Sequence, residues 1–147
     1  MGFHKSFSVK YDKITNVLSS KIVLSKPSRL GPYLLKIEFA AIWDTGATKT
    51  NITTKVARAL KLDESGLIEC LSVDGYSMKP TYDIDALIPN NVKVLNLEVI
   101  GDANLGGFDV LVGMDIINLG DFVICNERGM TSFSFRMPPK KRINFAE

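Results

Sequence analysis

The chain has 147 residues, 46% of them hydrophobic and 23% charged, a composition that can bury one core and argues against a disordered polymer. Lys and Arg number 18 against 16 for Asp and Glu, and a net charge of +2 is too small to suggest a nucleic-acid or membrane-surface binder. One histidine, His4, and two cysteines, Cys70 and Cys125, argue against a His-based metal centre, a Ser-His-Asp triad and a disulfide framework, which leaves hydrolytic chemistry to carboxylates.

No apolar stretch approaches the roughly 18 residues of a membrane-spanning helix. The first 25 residues alternate and lack the apolar block of a secretory signal, so a cytoplasmic protein with reduced thiols is expected. Met1-Gly2 with Ser6 fits the loose myristoylation pattern, and Asn51-Ile52-Thr53 is a glycosylation acceptor on paper. Both take the bland reading. His4 reads as an exposed terminal residue, and Cys70 and Cys125 read as buried thiols acting as small hydrophobes.

In chain order the pattern is mostly of period two, broken by turn residues, which predicts an all-β domain. Phe7, Val9 and Tyr11 alternate, and Ile22 and Leu24 follow. Lys26-Pro27 and Gly31-Pro32 bracket a turn. The clearest strand then places Tyr33, Leu35, Ile37, Phe39 and Ala41 on one face, while Ala40, Ile42 and Trp43 make the other face apolar towards its end. Ile52, Val56, Ala59 and Leu60 recur at helical spacing, with Thr53 as the N-cap. Leu67 to Val73 reads as a strand turning at Asp74-Gly75 into a return strand from Tyr76 through Tyr82, Ile84 and Ala86 to Pro89-Asn90. Val92 and Val94 carry one phase and Leu95, Leu97 and Val99 the other, which predicts a bulge near Val94.

Val110 to Val112 is a short buried run. Asp115 reads as the N-cap of one helical turn through Ile116 and Ile117, ended by Gly120. Phe122 to Cys125 and Thr131 to Phe135 read as closing strands. The division expected is residues 1–30 as N-terminal strands or an extension, which supplies interface strands or is processed off. Residues 31–137 follow as the main domain and 138–147 as a polar tail. Lys140-Lys141-Arg142 in that tail reads as a solvated terminus, with no nucleic-acid and no membrane partner expected.

The segment that carries chemistry is Ala41-Ile42-Trp43-Asp44-Thr45-Gly46-Ala47-Thr48. An apolar strand delivers a carboxylate to its end, where ionisation requires donors or a partner. Gly46 lets its N–H approach that carboxylate without a side chain in the way, and Thr45 offers a hydroxyl that can lock the loop. Its bland counterpart is an acid capping a turn after a core strand.

The segment resembles the catalytic signature of aspartic proteases. Asp109-Val110-Leu111-Val112-Gly113-Met114-Asp115-Ile116-Ile117 resembles their second signature, an apolar run, a glycine and a short helix. Order and spacing look like the single-lobe, retropepsin-like branch, and Gly-Met-Asp is more similar to its cellular and bacterial members than to retroviral enzymes, which usually carry Gly-Arg there. The resemblance covers Tyr33 to Phe135. It implies a small closed β-barrel with one or two short helices.

It also implies an endopeptidase that uses no metal or other cofactor, in which two carboxylates share a proton and activate a water. Asp44-Thr45-Gly46 occurs once, so the dyad implied is Asp44 from each of two chains in a homodimer, with an inactive monomer and a peptide or protein substrate. Thr45 would grip across the dimer beneath the acids. Gly46 and Ala47 would line the floor. Asp74, Gly75 and Tyr76 would form the flap, and Leu111 would contribute an apolar pocket. Tyr76 reads equally as cross-strand packing. Asp115 could be proposed as a second acid within one chain, but its position suits helix capping better. Ala47 lacks the hydroxyl of pepsin-like enzymes, which implies a working pH closer to neutral. Trp43, in place of an aliphatic residue, and the missing arginine keep a rival reading open, a non-catalytic module of the same fold used for dimerisation or peptide binding.

Overall fold

The computed structural model describes residues 5–32, 34–89, 91–102 and 104–147, and expectations placed on Met1, Gly2, His4, Tyr33 and Asn90 lie outside them. Period-two alternation becomes strand along most of the chain. In order come β1 (Lys5–Lys10), β2 (Ser19–Ser25), β3 (Lys36–Trp43) and β4 (Asn51–Ile52). The helix α1 (Thr54–Ala59) precedes β5 (Gly66–Ser72), β6 (Gly75–Ile88), β7 (Val92–Gly101) and β8 (Val110–Val112). A short α2 (Met114–Ile117) leads to β9 (Asp121–Cys125) and β10 (Ser132–Met137).

The strands β2-β3-β8-β4-β7-β6 form a barrel of six, closed by pairing of β2 with β6, and β5 extends it beyond β6. Closure removes open edges from the barrel itself. A separate antiparallel sheet has the order β1-β10-β9. Residues 1–30 are thus divided, with β1 in the small sheet and β2 a barrel strand. No helix among the described residues is long and apolar enough to cross a membrane.

Ile22, Leu24, Ile52, Ile84, Val99 and Val110 fill the barrel with essentially no exposure. At its base Trp43 is the hub of an aromatic cluster. Its ring stacks on Phe122 at 5.8 Å and 8° and meets Phe135 at 5.3 Å, while Phe7 and Phe133 close the other sides. The bulk of Trp43 is therefore accommodated by the small sheet, and its Nε1–H donates to Ser20 Oγ at 2.8 Å. Trp43 shares the buried face of Phe39 and Ala41 and not that of Ala40, which is exposed. Strand parity alone requires this, since 39, 41 and 43 point the same way.

Several local expectations hold, and others move by a residue or two. Thr53 caps α1, its Oγ1 accepting from Val56 N–H. The bulge falls on β7, where Leu95 and Asn96 intervene between Val94, opposite Ala86, and Leu97, opposite Ile84. The flap-like hairpin pairs Ser72 with Gly75, so its tip is Val73-Asp74 and Gly75, at φ 106°, closes the turn. The cap of α2 is the backbone of Gly113, not Asp115, whose carboxylate is committed elsewhere. Cys125 is exposed and Cys70 half-buried, contrary to the buried expectation, because both lie on strands with an open face.

One carboxylate anchors the start of the C-terminal tail, and Arg136 Nη2 adds a bond to the Lys141 carbonyl at 3.3 Å. Asp121 Oδ2 accepts from Lys140 N–H at 2.8 Å and from Arg136 Nε at 2.7 Å. The Lys140 amide, followed by the Arg136 guanidinium, holds the Asp121 carboxyl below its ordinary value. A carboxyl lowered in the folded chain contributes stability above its unfolded pKa and loses it as pH falls through the folded one. Docking of the tail should persist through neutral and mildly acid pH and fail only below the ordinary carboxylate range. Asp121→Asn should release it at pH 7, read as a several-fold faster tryptic cut after Lys140, Lys141 or Arg142. An unchanged rate would contradict the role.

Candidate active site

β3 and β4 lie on opposite sides of β8, with Leu111 in register with Ile42 on one side and Asn51 on the other. The chain from 44 to 50 must therefore pass over the end of β8. The crossing begins with Asp44 N–H donating to the Val112 carbonyl at 2.9 Å. Gly113 lies under the crossing. A Cβ there would meet the Lys49 carbonyl carbon and oxygen at 2.7 Å and the Ala47 oxygen at 3.0 Å, so only glycine fits. Met114 N–H then bonds the Ala47 carbonyl at 2.8 Å, fixing the loop on the start of α2.

A side-chain clamp completes the crossing. Thr50, fully buried, donates its N–H to Asp115 Oδ2 at 2.9 Å and its hydroxyl to Asp115 Oδ1 at 2.7 Å. The same hydroxyl accepts from Gly113 N–H at 3.2 Å, and Asp115 Oδ1 also takes the Ile116 N–H. Asp115 is spent on structure. Thr50 escaped the sequence reading, since its partner lies 65 residues away and only its place six residues after Asp44 marks it.

Above this floor stands the Asp44 carboxylate, half-buried, with Oδ1 accepting Gly46 N–H at 2.8 Å. A Cβ on Gly46 would sit 3.2 Å from that same oxygen, so a side chain there would push the carboxylate aside by a few tenths of an ångström. Thr45 is exposed, and its hydroxyl makes no hydrogen bond within the described residues, so the expected lock inside the loop is not formed. A cleft of about 370 Å³ opens beside the acid, bounded by Val17, Leu18, Trp43, Thr45 and Ile124. Trp43 N–H ties Leu18 into that wall through its carbonyl at 2.8 Å. No local pattern could have placed Val17, Leu18 or Ile124 there.

The structure thus gathers Asp44, Thr45, Gly46 and Ala47 on one loop over Leu111, whose side chain is half-buried at the centre of the crossing. Asp74, Gly75 and Tyr76 stand apart at the tip of the β5–β6 hairpin, with no hydrogen bond or ion pair to the loop among the described residues. That hairpin exposes Leu67, Leu71, Val73, Tyr76 and Met78, and Tyr76 faces Leu71 across the strands with both more than two-thirds exposed.

Chemically, a solvent-accessible carboxylate held by one amide can accept or donate a proton, but one such group cannot do both to a single substrate at once. No family model matches the chain and no curated protein matches it. Among solved structures the chain is similar to a retropepsin-like aspartic protease from Rickettsia conorii, with a TM-score of 0.55 and 11% identity, over 92% of this chain and 95% of that one. At that identity the likeness shows the fold, a retropepsin-like β-barrel.

Proposed function

We propose that the protein is an aspartic endopeptidase, active as a homodimer in which Asp44 of each copy holds one end of a shared proton. The observation that carries this reading is the Asp44 loop itself. A carboxylate sits at the end of a buried strand, braced by a glycine amide, on a crossing that a buried Thr50–Asp115 clamp and a sterically obligate Gly113 hold in place. Such a floor costs stability in desolvated polar groups and positions one acid.

In the dimer one Asp44 is the base that takes a proton from a water between the two acids, while the other donates to the substrate carbonyl oxygen. The Thr45 hydroxyl, without a hydrogen bond among the described residues, would grip its counterpart beneath the acids. Gly46 and Ala47 would line the floor beneath an extended substrate strand and Leu111 would meet an apolar side chain. The hairpin around Asp74, Gly75 and Tyr76 would close from above and exclude water, its exposed apolar residues covering substrate instead of solvent. Met114 stands where retroviral enzymes place arginine, which favours kinship with bacterial and cellular members. With Ala47 in place of a hydroxyl, the rate optimum should lie nearer neutrality than that of pepsin-like enzymes; an optimum near pH 2 would contradict this.

We place the dimer contact on β9. It is one of the two edge strands of the small sheet, and unlike β1 it carries a residue, Ile124, 44% exposed, into the wall of the Asp44 cleft. Two such edges can pair about a two-fold axis and bring both clefts together. Ile124→Lys should weaken association by tenfold or more, on the order of 1.4 kcal/mol. Sedimentation would show this, with specific activity recovering as protein concentration rises. Unchanged sedimentation and activity would remove β9 from the interface. The function itself is tested by incubating the protein with a peptide library beside Asp44→Asn. Equal turnover by the two would remove Asp44 from the chemistry, and binding of peptide with no turnover by either would favour the rival reading, a peptide-binding module.

A further inference from the structure

The outer wall of the barrel, toward the end of β3 away from Asp44 and beneath the turn after β2, holds a second cavity, of about 470 Å³, within the range of about 300–1,000 Å³ typical of small-molecule sites. It lies beside Lys36, the first residue of β3, whereas Asp44 follows the last, a separation of about 25 Å along the strand. Val23, Leu34, Leu87 and Leu95 supply apolar walls. Leu95 shares the outward face of β7 with Lys93, the alternate of buried Val92 and Val94, and is 55% exposed.

One buried acid builds the cavity. Asp85, 8% exposed, spends Oδ2 on the Ser28 N–H at 2.8 Å and Oδ1 on the Asn96 N–H at 2.9 Å. It thereby pins the turn after β2 and the bulge on β7 as two facing walls. Arg29 at the mouth is paired with Asp83 at 3.1 Å. Lys36 and Lys93, both exposed and both lining the cavity, have no carboxylate within ion-pair distance among the described residues.

An apolar interior under two uncompensated ammonium groups is complementary to an apolar chain ending in a negative charge. From this cavity we propose a binding site for a medium-chain carboxylate, its chain against Val23, Leu87 and Leu95 and its head between Lys36 and Lys93. The site is independent of Asp44 and does not depend on proteolysis.

Titration of the full-length protein with octanoate, followed by amide NMR, tests it. Saturable shifts are expected at Ser28, Leu87 and Asn96, with Gly46 unmoved. Hexanoate should bind roughly tenfold more weakly, as two fewer buried methylenes require. Octanol should bind more weakly than octanoate by a similar factor, and Lys36→Glu/Lys93→Glu should lose about tenfold for octanoate while melting like the wild type. Lys140→Glu, remote from the cavity, should bind as the wild type does. Equal affinity for octanol and octanoate, unchanged affinity in the double reversal, or shifts that never saturate would each overturn the proposal. Because no peptide is cleaved in this experiment, its failure would say nothing about Asp44.

Discussion

Asp44→Asn is expected to lower kcat/KM on a cleaved peptide by about 10³-fold, the scale of losing a positioned acid–base group. The carboxamide can still accept the Gly46 N–H through its oxygen and is nearly the same size, so melting temperature and sedimentation should stay close to the wild type. What it cannot do is take a proton from water. The sharper result comes from mixing. If each site needs Asp44 from two chains, an equal amount of the Asn variant, exchanged into wild-type protein, should halve the wild-type activity. A ninefold excess should cut it to about a tenth, by simple random pairing of subunits. A chain that held both acids itself would keep its full activity at any ratio. The mixing curve therefore reads the number of chains per site directly, and a flat curve would remove the shared dyad even if Asp44→Asn alone were inactive.

The features legible in the sequence are those fixed by neighbours along the chain. Alternation set most strands, the helical spacing from Ile52 to Leu60 set α1, and the phase slip after Val94 set the bulge now seen at Leu95 and Asn96. Asp44, Thr45 and Gly46 could be singled out because strand, acid and glycine are adjacent. Contacts closed across the chain were not legible. Nothing near Thr50 announces Asp115, and nothing near Val17 announces Ile124. The segment from 11 to 18 is fixed largely by Thr131, which bonds Tyr11, Lys13 and Thr15. The cap of α2 was misread for the same reason. An Asp before an apolar pair looks like an N-cap until a buried threonine 65 residues earlier claims both its oxygens. The pairing of β1 with β10 likewise joins the two ends of the chain, and only that sheet makes room for an indole at position 43.

Thr50→Val tests whether the clamp positions the acid. The substitution keeps shape and burial but removes the hydroxyl that donates to Asp115 at 2.7 Å and accepts from Gly113 at 3.2 Å. It leaves a buried amide unpaired and a carboxylate short of one donor, a loss of about 2–3 kcal/mol. For a chain of this length that corresponds to a melting temperature lower by about 5–10 °C. Thr50→Ser retains the hydroxyl and gives up only a buried methyl, roughly 1 kcal/mol, so it should melt between the two. A merely stabilising clamp would leave the activity of the folded fraction untouched at low temperature. A clamp that sets the height of the Asp44 loop over β8 should instead cost kcat at least about tenfold in Thr50→Val, since small misplacements of a reacting group are expensive. Thr50→Ser should keep nearly full kcat despite its lower stability. If Thr50→Val turned over peptide at the wild-type rate well below its melting temperature, the loop would be held by the Met114–Ala47 bond and the close fit of Gly113 without help from the threonine.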